Sequence, residues 1–280
     1  RAFPEMNQYG LALRLLGLLG SSTAAILQTI KGIVKRLQGL ENAADELSQW
    51  QEIQTAAESI PQDAKAGELL TVLKQGFSLM KKTGAKQKAV IFTESVETQK
   101  MLQNLLSDRY RTLAYNGSAD YSVIRQFKED GEVLISTDNG AKGFNLEEAA
   151  FIIHYDLLYN TLKMEQRIDR CHRLGQENDV LSVAFIDKNN FADVRKLELV
   201  NKRMLVTDGV FGITDDVLGG FTDDVKAAFP VIAQRLRPRA QIEQAYRQTL
   251  SPHEEDNRQT VSAAEDILFT TFTKELADKV

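Results

Sequence analysis

The sequence predicts an α/β fold with a mainly parallel central sheet, and three observations predict it. Five short apolar runs rich in β-branched and aromatic residues recur between Ala89 and Asp187. The segments between them are amphipathic and long enough to be crossover helices. The composition, 43% hydrophobic and 26% charged over 280 residues, is that of a globular chain with room for one large domain or two modest ones.

The elements follow in order. From Tyr9 to about Ile60 the pattern is helical, with an apolar repeat at Ile26, Ile30, Ile33, Val34 and Leu37 and then the polar stretch "ENAADELSQWQEIQTAAESIPQD". Pro61 and Gly67 punctuate its end, so residues 1–66 read as a helical lead-in. Residues 67–200 carry the α/β rhythm, with strands expected at "AVIFT" (Ala89 to Thr93), "RTLAY" (Arg111 to Tyr115), "EVLIST" (Glu132 to Thr137), "FIIHYD" (Phe151 to Asp156) and "LSVAFID" (Leu181 to Asp187). Residues 201–280 open on the Gly/Asp-rich "TDGVFGITDDVLGGFTDD" and continue in helix-like sequence, a helical C-terminal appendage.

Several function classes are excluded. One cysteine permits no internal disulfide, and three histidines without a Cys-x-x-Cys pair give no zinc signature, so no metal site is expected. The apolar stretch "YGLALRLLGLLGSSTAAILQTI" is interrupted by Arg14, glycines and Ser21-Ser22-Thr23, which fits a buried helix better than a membrane span or leader. A cytoplasmic location is the expectation, with no membrane partner. A net charge of −5 argues against a surface coated in positive charge for nucleic acid, although a local basic groove is compatible with it. The chain opens on Arg1 and closes in helix-type sequence, "TKELADKV", and is expected to be a portion of a longer protein.

In a parallel sheet, ligands gather where strands end and backbone donors converge. "EVLIST" runs into "DNGAKGFNLEEA", and "FIIHYD" into "LLYNTLKMEQRIDRCHRLGQ". If Leu162 to Leu174 is helical, Met164, Ile168 and Cys171 make an apolar stripe, while Gln166, Arg170 and Arg173 share roughly the opposite face. Gly175 is a suitable stop. On an ordinary surface helix Asp169 would simply pair with Arg173, worth a few tenths of a kcal/mol. The sharper reading is that guanidiniums on a ligand edge await a polyanion, because their forked donors match phosphate oxygens. Arg167 points partly away from that face and reads equally well as structural, and Cys171 as a small core residue. In "STDNGAKGFNL", Gly140 and Gly143 would let the backbone approach a phosphate, while Asn116-Gly117-Ser118 follows a strand with amides and a hydroxyl suited to one.

"QRIDRCHRLGQ" (Gln166 to Gln176) resembles motif VI of the SWI/SNF branch of superfamily 2 helicase-like ATPases. "KAVIFTESVETQKML" (Lys88 to Leu102) resembles motif IV, and Leu113 to Asn160 resembles the block through motif V, in the family's order. The "FTES" and "YDLLYN" stretches look closest to bacterial members. The resemblance implies the C-terminal one of two RecA-like lobes. By it, Arg170 and Arg173 would be arginine fingers reaching ATP on the other lobe, and Gln166 would couple the cleft to motif V. Asp169 and His172 would hold the guanidiniums, with Gly140 and Gly143 supporting the nucleotide side. Asn116, Gly117, Ser118, Ser136 and Thr137 would meet the nucleic-acid backbone. Asp138 and Lys142 depart from the commoner residues of motif V.

No G-x-x-x-x-G-K-[ST] occurs in the 280 residues, and Asp45-Glu46 lies in helix-like sequence rather than at a strand end. The expectation is half of an ATPase, inactive alone, with ATP and Mg²⁺ bound mainly by the first lobe. Expected partners are that lobe, duplex DNA bound without sequence preference, and a protein to be remodelled. A catalytically idle docking or nucleic-acid-binding module is the alternative. An unrelated nucleotide-binding α/β enzyme fits less well, because the glycine pattern is wrong and the motifs follow helicase order.

Overall fold

The computed structural model describes residues 8–61, 63–117, 120–138, 144–187, 189–198 and 231–241. The chain divides into two compact units, Arg1–Pro238 and Arg239–Val280. The sheet and its helices lie in the first; in the second, residues 239–241 are helical.

Three helices come first: α1 (Gln8–Ser21), α2 (Thr23–Leu37) and α3 (Ala44–Glu58). Ser22 separates α1 from α2, its extended backbone and its hydroxyl, which accepts from the Ala25 amide at 3.1 Å, making an N-cap. The apolar repeat of α2 is buried as the 3.6-residue period requires, against Leu15 and Leu18 of α1 and Leu47 and Trp50 of α3. No residue of α3 is fully buried, in keeping with its polar sequence. Helix α4 (Ala64–Thr83) then runs through Gly67 and ends at Gly84, whose φ of 77° makes a left-handed C-cap.

The α/β part follows as β1 (Ala89–Thr93), α5 (Val96–Leu106), β2 (Thr112–Tyr115), α6 (Ser122–Glu129), β3 (Val133–Thr137), β4 (Phe151–His154), α7 (Thr161–Cys171) and β5 (Val180–Phe185). Every one of the five apolar runs holds one strand. With β6 (Val231–Leu236) they form one sheet in the order β2-β3-β1-β4-β5-β6, in which β1 to β5 are parallel. β1, β3 and β4 are buried at every position, which is why they read as continuous apolar runs rather than alternating ones.

Alternation along the strands divides the core between the two faces. Ile91, Ile135, Phe151, Ile153 and Val183 pack with Leu69, Leu73, Phe77 and Met80 of α4 and Leu102 and Leu106 of α5. Val90, Phe92, Leu134, Ile152 and Val180 pack with Ile124 and Phe127 of α6 and Cys171 of α7. The α4 helix lies so close to the sheet that a Cβ at Gly76 would stand 2.1 Å from Cε1 of Phe151. Buried Lys88 donates to the carbonyls of Phe127 and Gly131, closing the end of α6.

Residues 231–236 correct the reading of helix beyond residue 200. "VIAQRL" is a strand, paired antiparallel to β5 from Val231 opposite Phe185 to Leu236 opposite Val180. Local sequence does not determine this state, because the free edge of β5 supplies the ladder that the segment completes. No described helix is long and apolar enough to cross a membrane.

Candidate functional site

The polar clusters converge at the C-terminal ends of the parallel strands. At the centre is Asp156, two residues beyond β4 and 4% exposed. Its carboxylate accepts from the Thr93 hydroxyl, from the Glu94 amide at 2.8 Å and from the Ser21 hydroxyl at 3.0 Å. The Lys65 ammonium stands 3.4 Å away, donates to the Gly20 carbonyl at 2.7 Å and lies over the Tyr155 ring. The Ser21 and Ser22 hydroxyls both meet that of Thr98 at 2.7 Å. Burial pushes the Asp156 carboxyl upward, but Lys65, the Thr93 hydroxyl and the Glu94 amide outweigh it and hold the group below its ordinary value. One carboxylate thus binds the α1–α2 junction, α4 and the ends of β1 and β4 together.

Helix α7 leaves this centre with Asn160 as N-cap, its side chain accepting from the Lys163 amide. Met164, Ile168 and Cys171 face the core as their spacing predicts. Arg167 lies in the same buried row, three residues after Met164, and is 2% exposed. Its Nε donates to Asp138 Oδ1 at 2.7 Å, Nη2 stands 2.5 Å from the same oxygen, and Nη1 donates to the Asp156 carbonyl at 2.9 Å. The Phe92 ring lies beneath the guanidinium at 5.4 Å. Burial, with Cys171 wholly enclosed and Glu147 and Glu148 nearby, pushes its thiol well up, so it is a core group and not a nucleophile.

The helix stops at Cys171, three residues short of the expected end at Leu174, so Arg173 does not share the helical face of Gln166 and Arg170. At His172 the backbone takes φ −88°, ψ 78°, and the Arg173 amide bonds back to the Cys171 carbonyl at 3.2 Å, an inverse γ-turn. A tertiary contact accompanies the stop: buried His172 donates from Nε2 to the Arg237 carbonyl at 2.7 Å, just past β6. Buried Gln176 then donates to the Glu147 and Ala149 carbonyls and accepts from the Asn178 amide. The Arg170 carbonyl accepts from the Leu146 amide at 2.8 Å.

The remaining polar residues of the segment are presented outward. Gln166, Asp169 and Arg173 are exposed and Arg170 is half-buried. Among the described residues the Arg170 and Arg173 guanidiniums have no hydrogen-bond or ion-pair partner. Two cations 3 residues apart, on a chain pinned between them by His172, are suited chemically to a polyanionic ligand.

Of the other expected contacts, Asn116 is half-buried and Gly117 exposed, with φ 87°, a conformation that favours glycine in the turn after β2. Ser136 and Thr137 are both buried, and the Ser136 hydroxyl donates to the Thr137 carbonyl at 3.1 Å, so these side chains underlie the β3 exit instead of facing out. Ser118, Gly140 and Gly143 lie outside the described residues. No cluster of three metal-ligating side chains occurs among the described residues. Sequence reasoning missed Asp156, Lys65 and Gln176. A carboxylate closing an apolar strand run was the available signal for the first, whereas nothing local announces the other two.

Residues 68–175 match the helicase conserved C-terminal domain. The chain is 31% identical to the uncharacterized ATP-dependent helicase YqhH of Bacillus subtilis over 204 residues, 71% of this chain and 34% of that one, and so spans about a third of that relative's length. It is 39% identical over 87 residues, 30% of this chain and 9% of the relative, to a Caenorhabditis elegans homologue of the SWI/SNF-related, matrix-associated, actin-dependent regulator of chromatin, subfamily A, containing DEAD/H box 1. Among solved structures it is similar to the C-terminal part of the Fun30 ATPase domain, with 26% identity, TM-score 0.44, and 50% of this chain and 46% of that chain covered. The parallel sheet and the match over residues 68–175 mark that region as a RecA-like helicase C-terminal domain related to the SWI/SNF-type ATPases of superfamily 2.

Proposed function

We propose that the chain is the second motor lobe of a DNA-dependent SWI/SNF-type translocase, of a bacterial, cytoplasmic type, with Arg170 and Arg173 as its arginine fingers. One observation carries the reading: within one short segment Arg167, His172 and Gln176 are buried and bonded, while Arg170 and Arg173 are left without partners among the described residues. Free guanidiniums on a rigid support suit a charge that develops only during reaction, since their orientation is set before the charge appears. ATP with Mg²⁺, held mainly by a first RecA-like lobe, supplies the phosphoryl group and part of the neutralising charge. Arg170 and Arg173 balance the charge that develops on the transferring group. Gln166, exposed one turn before Arg170, couples the cleft to the motif V segment that follows β3, in which Gly140 and Gly143 support the ATP site. Asp169 and His172 keep the finger segment in one conformation.

Duplex DNA is the proposed track. Asn116, Gly117 and Ser118 offer amides and polar groups to the phosphate backbone, while Ser136 and Thr137 are buried at the end of β3. Such contacts position without reading sequence, and binding weakens as salt rises. A protein displaced or remodelled by the moving motor completes the reading.

The test uses the full-length protein. Arg170→Ala and Arg173→Ala each lower DNA-stimulated hydrolysis by ~10³-fold or more while nucleotide binding stays near its starting affinity. Unchanged turnover in both variants would leave the idle docking or nucleic-acid-binding module as the better account.

A further inference from the structure

The Asp138–Arg167 pair is not used by any step proposed so far, yet its geometry is the most constrained in the site. Two nitrogens of one guanidinium donate hydrogen bonds, Nε to Asp138 Oδ1 and Nη1 to the Asp156 carbonyl, and Nη2 adds an ion-pair contact to the same Asp138 oxygen without hydrogen-bond geometry. Asp138 directly follows β3, Asp156 follows β4, and Arg167 lies midway along α7. The Phe92 ring closes the remaining face of the guanidinium. A single side chain therefore clamps two strand exits to the helix that carries Arg170 three residues further on. A guanidinium held in this manner has no rotational freedom, and a helix held by it cannot turn about its axis without breaking the clamp. The Asp138 charge is answered by a buried arginine.

We propose that Arg167 is a positioning residue, and that through Asp138 it couples the β3 exit to the orientation of Arg170. The inference rests on the finger role assigned to Arg170 above. When the β3 exit moves, the carboxylate carries Arg167 and hence α7 with it. A lysine could not reproduce this, because a point charge cannot hold the two strand exits in a fixed fork.

The experiment measures kcat and KM for ATP at saturating duplex DNA in the full-length protein, together with thermal unfolding. Asp138→Asn and Arg167→Met each lower kcat, by up to ~10²-fold, because a finger displaced by an ångström is ineffective. KM for ATP stays within about twofold, as expected when an interaction made in the transition state is lost. The double variant Asp138→Leu/Arg167→Met is no worse in kcat than either single variant, the sign of one coupled unit. It regains the melting temperature, since an apolar pair can replace a buried ion pair, but it does not regain kcat. Recovery of kcat along with the melting temperature would reduce the pair to a stabilising role and overturn the proposal. If Arg167→Met does not melt cooperatively, Asp138→Asn decides alone, and an unchanged kcat overturns it. Arg170→Ala, run in parallel, separates the two ideas. Turnover lost there but intact in the pair variants rejects only the positioning role, whereas turnover intact in Arg170→Ala rejects the finger assignment beneath it.

Discussion

The Asp156 centre and the outer side of the finger segment contain the same kinds of residue and treat them in opposite ways. Around Asp156, two opposite charges and several hydroxyls are removed from water, and each named group meets a partner. On the segment that follows, Gln166 and Arg173 are exposed and Arg170 is half-buried, and the two guanidiniums meet no described partner. Charge is tolerated inside because it is matched, and it is left unmatched outside where solvent screens it at little cost. On the proposed function, loss of the inner cluster should lower stability and loss of the outer one turnover, and the two kinds of loss should separate on measurement.

The largest stability effect is expected at the inner cluster. Asp156→Ala leaves the Lys65 ammonium buried with only the Gly20 carbonyl and the Tyr155 ring, and should destabilise the fold by about 3–5 kcal/mol in urea titration. A loss below ~1 kcal/mol would mean that water enters the centre and that it is not the buried node described. Next comes Gly76→Ala. The added methyl meets the buried Phe151 ring, and overpacking should cost about 1–3 kcal/mol by the same measurement.

A smaller, pH-dependent effect belongs to His154, wholly enclosed in β4 with Nε2 3.2 Å from the Ser182 hydroxyl. Burial, with Arg167 nearby, holds its pKa well below 6.5 in the folded chain. The unfolded chain therefore binds a proton that the folded chain refuses, so this contribution to stability is full above about pH 6.5 and falls as pH drops below it. Urea midpoints measured between about pH 8 and 5 should show this loss in the wild type and a flatter profile in His154→Gln. At the outer side, Arg170→Ala and Arg173→Ala should change stability by no more than about 0.5 kcal/mol, whatever they do to turnover. A large destabilisation there would erase the distinction between the two regions.

Much of this was legible in the chain. Strands β1, β3 and β4 were the most readable because strands buried on both faces must be short, apolar and β-branched. The stripe of Met164, Ile168 and Cys171 was readable because helical spacing alone decides which residues share a face. The same arithmetic failed at Arg173. His172 bonds to a carbonyl 65 residues away, and a contact of that range leaves no periodic trace. Strand β6 was illegible for a related reason, since its partner edge is supplied by β5.

The sequence by itself determined the α/β order, the strand ends where polar residues collect, and the motif that carries the arginines, all of which follow from local periodicity and residue type. Only the tertiary structure decided which of those charges are tied. Arg167 and Arg170 are three residues apart and chemically identical, yet one is buried against Asp138 and the Asp156 carbonyl while the other finds no described partner. The difference arises because pairing is a property of three-dimensional neighbours, and the neighbours of Arg167 come from strand exits 29 and 11 residues upstream.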